Sequence, residues 1–238
     1  MLQDADVASE PVLPPELERI IFEMAFDTEA PDTNWKLVLV AKRVRTWLRP
    51  LIYSTFIMSI NRKVFPNMHT CPSFIITEEI YHFARHLIAD NSSIIPHDAL
   101  SELLDKCPNL TNVACWGDII PQLIWPSLSK LTHLRQLSLT SVDDPDLSPA
   151  QFLSAPFSAH LTHLELVNPG EDLEYNWDLE FLSSLPSLTH LAIYFSSAGD
   201  EFDYKRLGTV LLACPKIRVF ILCSPEDNIL GDAQDLYE

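Results

Sequence analysis

Glycine is scarce in this chain of 238 residues, which contains five glycines against 18 prolines. The glycines form no GxGxxG, GxxxxGK[ST] or GxSxG motif, so the phosphate-binding loops and nucleophile elbows of common enzyme folds are missing from the sequence. It also lacks the HExxH motif of zinc proteases. We therefore predict no catalytic residue, and we expect a protein that is not an enzyme.

Cysteine is also limited, with five residues, an odd number, and no CxxC pair. This pattern predicts neither a disulfide framework nor a zinc ribbon, so no metal site and no cofactor are expected. The acidic N-terminus lacks an apolar signal-peptide core, and no run approaches 18 apolar residues. Free thiols and the absence of a predicted membrane span indicate a protein of the cytoplasm or nucleus.

Positive charge is scarce as well, and the formal net charge is −17. A polyanionic partner would be repelled, so nucleic-acid binding is not expected. Seven basic residues and no acidic ones fall within residues 35–77, whereas nine basic and 33 acidic residues lie outside, a balance of −24. The basic segment is either a solvated helix face or a surface that meets an acidic partner.

Internal repetition is the strongest positive signal in the sequence. Five segments share the pattern LxxLxL, and a fainter copy at Leu87-x-Ala89 precedes them. Their equivalent positions are 87, 113, 137, 164, 191 and 220, spaced by 24 to 29 residues. The LxL alternation predicts a strand with one buried face, because successive side chains of a strand point to opposite sides.

Apolar residues three and four apart precede several of these strands and predict helices, each followed by a proline. Stacked helix, proline and strand units bury a continuous core. The sequence thus predicts an α/β solenoid over residues 80–224, with five to six repeats, helices on one face and a parallel sheet. Strands are predicted near residues 110–116, 135–140, 162–167, 189–194 and 218–223. Cys107 and Cys214 occupy the position of Leu185 and should be small buried hydrophobic residues.

The N-terminal part has a different pattern, typical of a helical module over residues 12–56. A first helix is predicted over residues 15–27, behind a Pro-Pro start. A second predicted helix, closed or kinked by Pro50, carries apolar residues on one face, namely Leu37, Val40, Val44, Trp47 and Leu48.

This module resembles an F-box in three segments: Leu13-Pro14-x-Glu16-Leu17, Ile20-Ile21-Phe22, and the run from Leu39-Val40-Ala41-Lys42-Arg43 to Leu51-Ile52-Tyr53. The whole chain is similar to fungal F-box-like proteins with irregular leucine-rich repeats. The resemblance implies that the module docks on the Skp adaptor of a cullin-type ubiquitin ligase. It assigns adaptor contacts to Pro14, Glu16, Leu17, Ile21, Leu39, Val40 and Arg43, of which the apolar members have core packing as the alternative.

The repeats are expected to present their open strand face to a client protein. His86, His163 and His190 each precede the reference residue of a strand, and His163 and His190 belong to consecutive strands, about 5 Å apart. A polar ladder that contacts a partner and an ordinary solvated face are the two main interpretations, and a metal ion shared by the imidazoles is a third, although two imidazoles with Glu165 nearby make a poor metal site. The predicted client-binding face comprises Asn112, Trp116, Gln136, Ser138, His163, Glu165, His190 and Tyr194. Trp116 and Tyr194 are the expected anchors, or else cover a neighbouring loop.

The predicted organisation is therefore an α/β leucine-rich-repeat solenoid with an N-terminal all-α F-box-like module. Its segments are a flexible acidic N-terminus (1–11), the helical module (12–56), a connector (57–79), the repeat domain (80–224) and an acidic tail (225–238). The expected function is substrate recognition as an adaptor, with a Skp-type protein and an unidentified client as partners. The alternative is a scaffold outside any ligase, whose N-terminal helices only cap the repeats.

Overall fold

The structure is a computed structural model that describes residues 13–26, 31–59, 81–90, 96–117, 119, 121–140, 149–167, 180–194, 208 and 211–223. The chain divides into two compact units, a helical unit (Met1–Tyr53) and a sheet unit (Ser54–Glu238). The predicted acidic N-terminus and acidic tail, and residues 60–79 of the predicted connector, lie outside the described residues. No helix in the described ranges is long and apolar enough to cross a bilayer.

The helical unit has three helices: α1 (Pro15–Met24), α2 (Pro31–Val38) and α3 (Lys42–Ile52). Pro15 and Pro31 each begin a helix, where a missing backbone N–H does no harm. The second predicted helix is in fact two helices, because a turn at residues 39–40 is followed by Ala41 in an extended conformation. Pro50 lies inside α3 and does not end it.

Apolar side chains from all three helices form the core of the helical unit. Val44 and Leu48 of α3 are fully buried and Val38 of α2 is nearly so. Phe22 and Phe26, from α1 and the residues just after it, pack against this cluster. The break between α2 and α3 separates Val40 from the face that it was predicted to share with Val44 and Leu48, and Val40 is 62% exposed.

The sheet unit alternates strands with helices. Its strands are β1 (Thr55–Met58), β2 (His86–Ala89), β3 (Asn112–Cys115), β4 (Gln136–Thr140), β5 (His163–Val167), β6 (His190–Tyr194) and β7 (Val219–Cys223). Its helices are α4 (His97–Lys106), α5 (Pro121–Leu128), α6 (Pro149–Ser154), the 3₁₀ turn η1 (Pro156–Ala159) and α7 (Glu180–Ser183).

All seven strands are parallel, and each pairs with the next strand in the chain, in the order β1-β2-β3-β4-β5-β6-β7. The expected parallel sheet is confirmed, and among the described residues β1 does not pair with β7 to close a barrel. The register places residues 87, 113, 137, 164, 191 and 220 side by side, as the repeat spacing predicts. The LxxLxL pattern therefore encodes the strand register.

β1 is an additional strand that the sequence pattern does not predict. Residues 12–56 were predicted as the helical module and residues 57–79 as a connector, yet Thr55–Met58 pairs with His86–Ala89. Phe56 stands opposite Leu87 and is fully buried, so it takes the place of the reference leucine. Phe56, Ile57 and Met58 are all apolar and buried, so the segment lacks the LxxLxL alternation that marks the other strands.

A recurring turn sets the distance between each helix and the next strand. The N–H groups of Leu110, Leu188 and Ile217 donate to carbonyls three residues earlier, at 3.1 to 3.5 Å. A proline follows the accepting residue in each turn, where its fixed φ is favourable. Cys107 and Cys214 are buried at these turns, like Leu185, which confirms their interpretation as small core residues.

Candidate functional site

The predicted adaptor contacts lie on the surface of the helical unit. Pro14 caps α1, and Glu16 is exposed in its first turn. Leu17 and Ile21 are 50% and 52% exposed on α1. Two further apolar residues stand in the turn between α2 and α3, where the exposed fractions are 82% for Leu39 and 62% for Val40.

Two apolar faces run along α1. Phe22 faces the core of the helical unit, whereas Leu17, Ile20, Ile21 and Met24 are all 49% or more exposed. The spacing of these four residues places them on one stripe of a helix. We call them the α1 stripe. Exposed apolar residues that cluster in this way usually mark a surface that contacts another protein.

Arg43, the remaining predicted contact, holds α3 to α1. Its guanidinium donates to both carboxylate oxygens of Glu18, at 2.7 and 2.9 Å. This paired geometry is the strongest form of an arginine–carboxylate contact, although solvent reaches it. The ion pair places the start of α3 next to the α1 stripe, because Glu18 follows Leu17 directly in the sequence.

On the sheet unit, the strand face that the helices leave open forms a groove of about 600 Å³. Leu87, Val113, Leu137, Leu164 and Leu191 point into the core, and the residues on either side of each of them along the strand face the groove. Strand register arranges the groove residues in two rows. The first row is Thr55, His86, Asn112, Gln136, His163, His190 and Val219, and the second is Ile88, Ala114, Ser138, Glu165, Ala192 and Ile221.

Hydrogen bonds between neighbouring strands organise the first row. The side-chain amide of Asn112 donates to Oε1 of Gln136 at 2.5 Å. The rings of His163 and His190 stack with centroids 4.0 Å apart and planes 8° apart, close to the predicted separation. Each ring contacts the hydroxyl of the preceding threonine through Nδ1, at 2.8 Å in both cases. The six groove-lining members of the predicted client face are thus brought together.

Trp116 and Tyr194, the predicted anchors, lie beyond the groove, at the carboxyl ends of the strands. The indole Nε1 of Trp116 donates to Oγ of Ser138 at 2.7 Å, so the half-buried ring is held against β4. Tyr194 is 38% exposed at the end of β6. Each lies two residues after a second-row residue in the sequence, so both residues border the groove instead of lining it.

Two threonines that hold the histidines were not predicted from the sequence. Thr162 and Thr189 precede the stacked pair, and their hydroxyls contact carbonyl oxygens of the neighbouring strand, at 3.0 and 3.1 Å. The repeated Thr-His dipeptide before two consecutive strands would have indicated them. Thr55 and Ile221, which line the groove from the two outermost strands, were not predicted either.

Burial makes two thiols of the sheet unit unreactive. It raises the pKa of Cys107 and of Cys115 to about 12, so neither forms the thiolate that nucleophilic chemistry requires near neutral pH. Within the described ranges, no three His, Cys, Asp or Glu side chains are grouped so that they could hold a metal ion.

Acid should destabilise the sheet unit through the histidine stack. Burial, and secondly the adjacent His190, lower the pKa of His163 below its ordinary value of 6.5. The unfolded chain therefore binds the proton first, and the free energy of unfolding falls as the pH drops from 6.5 through the lowered pKa. On its own strand His163 is two residues from Glu165, and on β4 it faces the uncharged Gln136.

Urea unfolding between pH 7 and pH 5 measures this dependence. His163→Gln should reduce the slope of the free energy of unfolding against pH. The control is His133→Gln at an exposed position, which should leave that slope unchanged. Equal slopes in both variants would contradict the contribution of the stack.

Compared with models of known protein families the chain matches none, and no curated protein matches it.

Proposed function

We propose that the chain is an F-box-like adaptor, whose helical unit docks on a Skp-type protein of a cullin ubiquitin ligase. Its sheet unit then forms an irregular leucine-rich-repeat solenoid that selects a client protein. The observation that carries the proposal is the α1 stripe, with four large apolar side chains exposed on one helix. The predicted place of action is the cytoplasm or nucleus, where such ligases work.

The helical unit supports docking because its own core leaves the stripe outside. Phe22 of α1 and Phe26 just after it supply the inward contacts, and α1 contains no buried residue. Leu17 and Ile21 are therefore available to a partner without any change in the core. Exposed Leu39 and Val40 extend the apolar surface beyond α1.

The sheet unit supports client recognition because its groove combines an ordered polar row with open space. Hydrogen bonds fix Asn112, Gln136 and both stacked histidines before any partner arrives. Preorganised side chains lose little conformational entropy on binding, which favours affinity. A surface of this kind suits the recognition of a protein segment.

Co-purification tests the adaptor role. The full chain, co-expressed with a Skp-type adaptor and purified through a tag on the chain, should retain the adaptor in a one-to-one complex. Addition of the cullin scaffold should then give a ternary complex on gel filtration. A folded chain that retains no adaptor would refute the proposal and leave the scaffold alternative.

Salt should slow this association while leaving dissociation nearly unchanged. Lys42 and Arg45 lie exposed on α3, and charges at an interface rim act mainly on the association rate. Their attraction to an acidic adaptor surface is screened over a Debye length of about 8 Å at physiological salt. The α1 stripe, being apolar, should set the dissociation rate.

The double variant Lys42→Gln, Arg45→Gln should lower the association rate at low salt by about threefold or more, within the one to three decades typical of interface variants. Arg43 is left unchanged in this variant because its guanidinium pairs with Glu18. Lys130→Gln with Arg218→Gln makes the same change of charge on the sheet unit and is the control. Association rates measured by stopped flow that do not change with salt would show that the basic residues of α3 form only a solvated face.

A further inference from the structure

The described lining of the groove includes one carboxylate, that of Glu165. None of the lining residues that the structure describes is lysine or arginine. The partners of Glu165 across the strands are Ser138 and Ala192, which cannot neutralise it. No cation pairs with Glu165 in the part of the chain that the structure describes, and the residue is half-buried. A partly desolvated, unpaired carboxylate favours a cationic ligand.

The preceding threonines hold the stacked histidines through one ring nitrogen. The hydroxyls of Thr162 and Thr189 contact the carbonyls of Arg135 and Thr162 and, at 2.8 Å, Nδ1 of the adjacent histidine. In the tautomer that donates Nδ1–H to the threonine oxygen, Nε2 of each ring is an acceptor.

The two Nε2 atoms point the same way, because the rings are nearly parallel and are held through the same atom. Burial of His163 lowers its pKa, which keeps that ring neutral near pH 7. Glu165 lies two residues from His163 on the same face of β5. The centre of the groove thus presents a carboxylate and, in that tautomer, two imidazole nitrogens that accept hydrogen bonds.

We propose that this groove binds an extended segment of the client with an arginine side chain seated on Glu165, His163 and His190. The inference rests on the proposed function, because it specifies the chemistry of the client. Arginine suits the site better than lysine, since its planar guanidinium carries five donors that can serve a carboxylate and further acceptors together. The balance of −24 outside residues 35–77 adds long-range attraction for a basic segment.

Strand spacing sets the length and pattern of the ligand. Seven strands at about 4.8 Å span about 29 Å, the length of eight or nine extended residues. Ile221 on β7 lies two strands from Glu165, and Ile88 on β2 lies three strands away on the other side. Extended segments should therefore carry apolar residues about three positions from the arginine on one side and about four on the other.

A displayed library of random eight-residue peptides, selected against the full chain, tests the proposal. Arginine with flanking apolar residues at these spacings should be enriched. The enriched peptide, labelled with fluorescein, should bind at least tenfold more weakly when citrulline, the uncharged isostere, replaces arginine. Glu165→Gln should remove this preference, whereas Glu102→Gln on α4, which pairs with Lys106 outside the groove, should retain it.

Selection of acidic or uncharged peptides, or of none, would overturn the proposal. So would an arginine preference that survives in Glu165→Gln. Equal binding of lysine and arginine peptides would overturn the role of the histidine acceptors. Co-purification with the Skp-type adaptor, measured on the same preparation, keeps the two proposals apart: a chain that binds arginine peptides but no adaptor refutes only the adaptor role.

Discussion

Leu17→Asp is expected to weaken binding of the Skp-type adaptor by at least about 2 kcal/mol, or about 30-fold in Kd. Leu17 lies in the α1 stripe and is 50% exposed, so a charge there is tolerated in the free chain. In the complex the same carboxylate would be buried against an apolar surface without a partner, which is costly. Isothermal titration calorimetry measures the change.

Leu123→Asp is the matched control, because Leu123 is 53% exposed on α5 of the sheet unit. Its affinity for the adaptor should equal that of the unchanged chain. Circular dichroism of both variants verifies that folding is retained. Full binding by Leu17→Asp would contradict docking through α1, and joint loss of binding and folding would show that the helices are structural.

Phe152→Ala should cost the sheet unit about 3 to 5 kcal/mol of stability, the range for large aromatic truncations in a core. Phe152 is 1% exposed, and its ring centroid lies 5.4 to 5.7 Å from those of Trp125, Phe157 and Phe181. The four rings come from α5, α6, η1 and α7, so one side chain links successive helical segments. Its removal leaves a cavity and breaks three ring contacts.

Thermal and urea unfolding measure this loss, and the melting temperature should fall by about 6 to 20 °C for a unit of this size. Leu212→Ala is the control, because Leu212 is 87% exposed and its truncation should change stability by no more than about 0.5 kcal/mol. A change below about 1.5 kcal/mol for Phe152→Ala would contradict the packed aromatic cluster.

The register of the sheet could be predicted because strand pairing and side-chain burial depend on the same spacing. Leu137, Leu164 and Leu191 must all point into one core, and a shift of one residue would expose them. β1 was not predicted because three consecutive apolar residues show no alternation of apolar and polar side chains. Phe56 shows its repeat position only through its pairing with Leu87.

The helical unit was harder to predict, since helix propensity does not reveal a break of three residues. The apolar spacing across residues 37–48 fits one continuous helix, but Ala41 adopts an extended conformation and ends that continuity. Leu39 and Val40 are consequently exposed. Local sequence patterns are weak where tertiary contacts, such as that of Arg43 with Glu18, select the conformation.

The sequence predicted which side chains lie close together in the candidate groove, but it did not predict their hydrogen bonds. Consecutive strands placed His163 beside His190, which the repeat spacing already implied. The hydroxyls of Thr162 and Thr189 contact both a backbone carbonyl of the neighbouring strand and Nδ1 of the adjacent histidine, which no spacing in the sequence indicates. Such contacts require coordinates.

Hydrogen exchange of the full chain, with and without a Skp-type adaptor, tests whether the helical unit docks on that adaptor. We expect slower exchange of amides in α1 and in the turn at residues 39–40 when the adaptor is present. The strands β2 to β6 should exchange at unchanged rates, because the groove is reserved for the client. Protection confined to the sheet unit, or none at all at saturating adaptor, would contradict the proposed adaptor role.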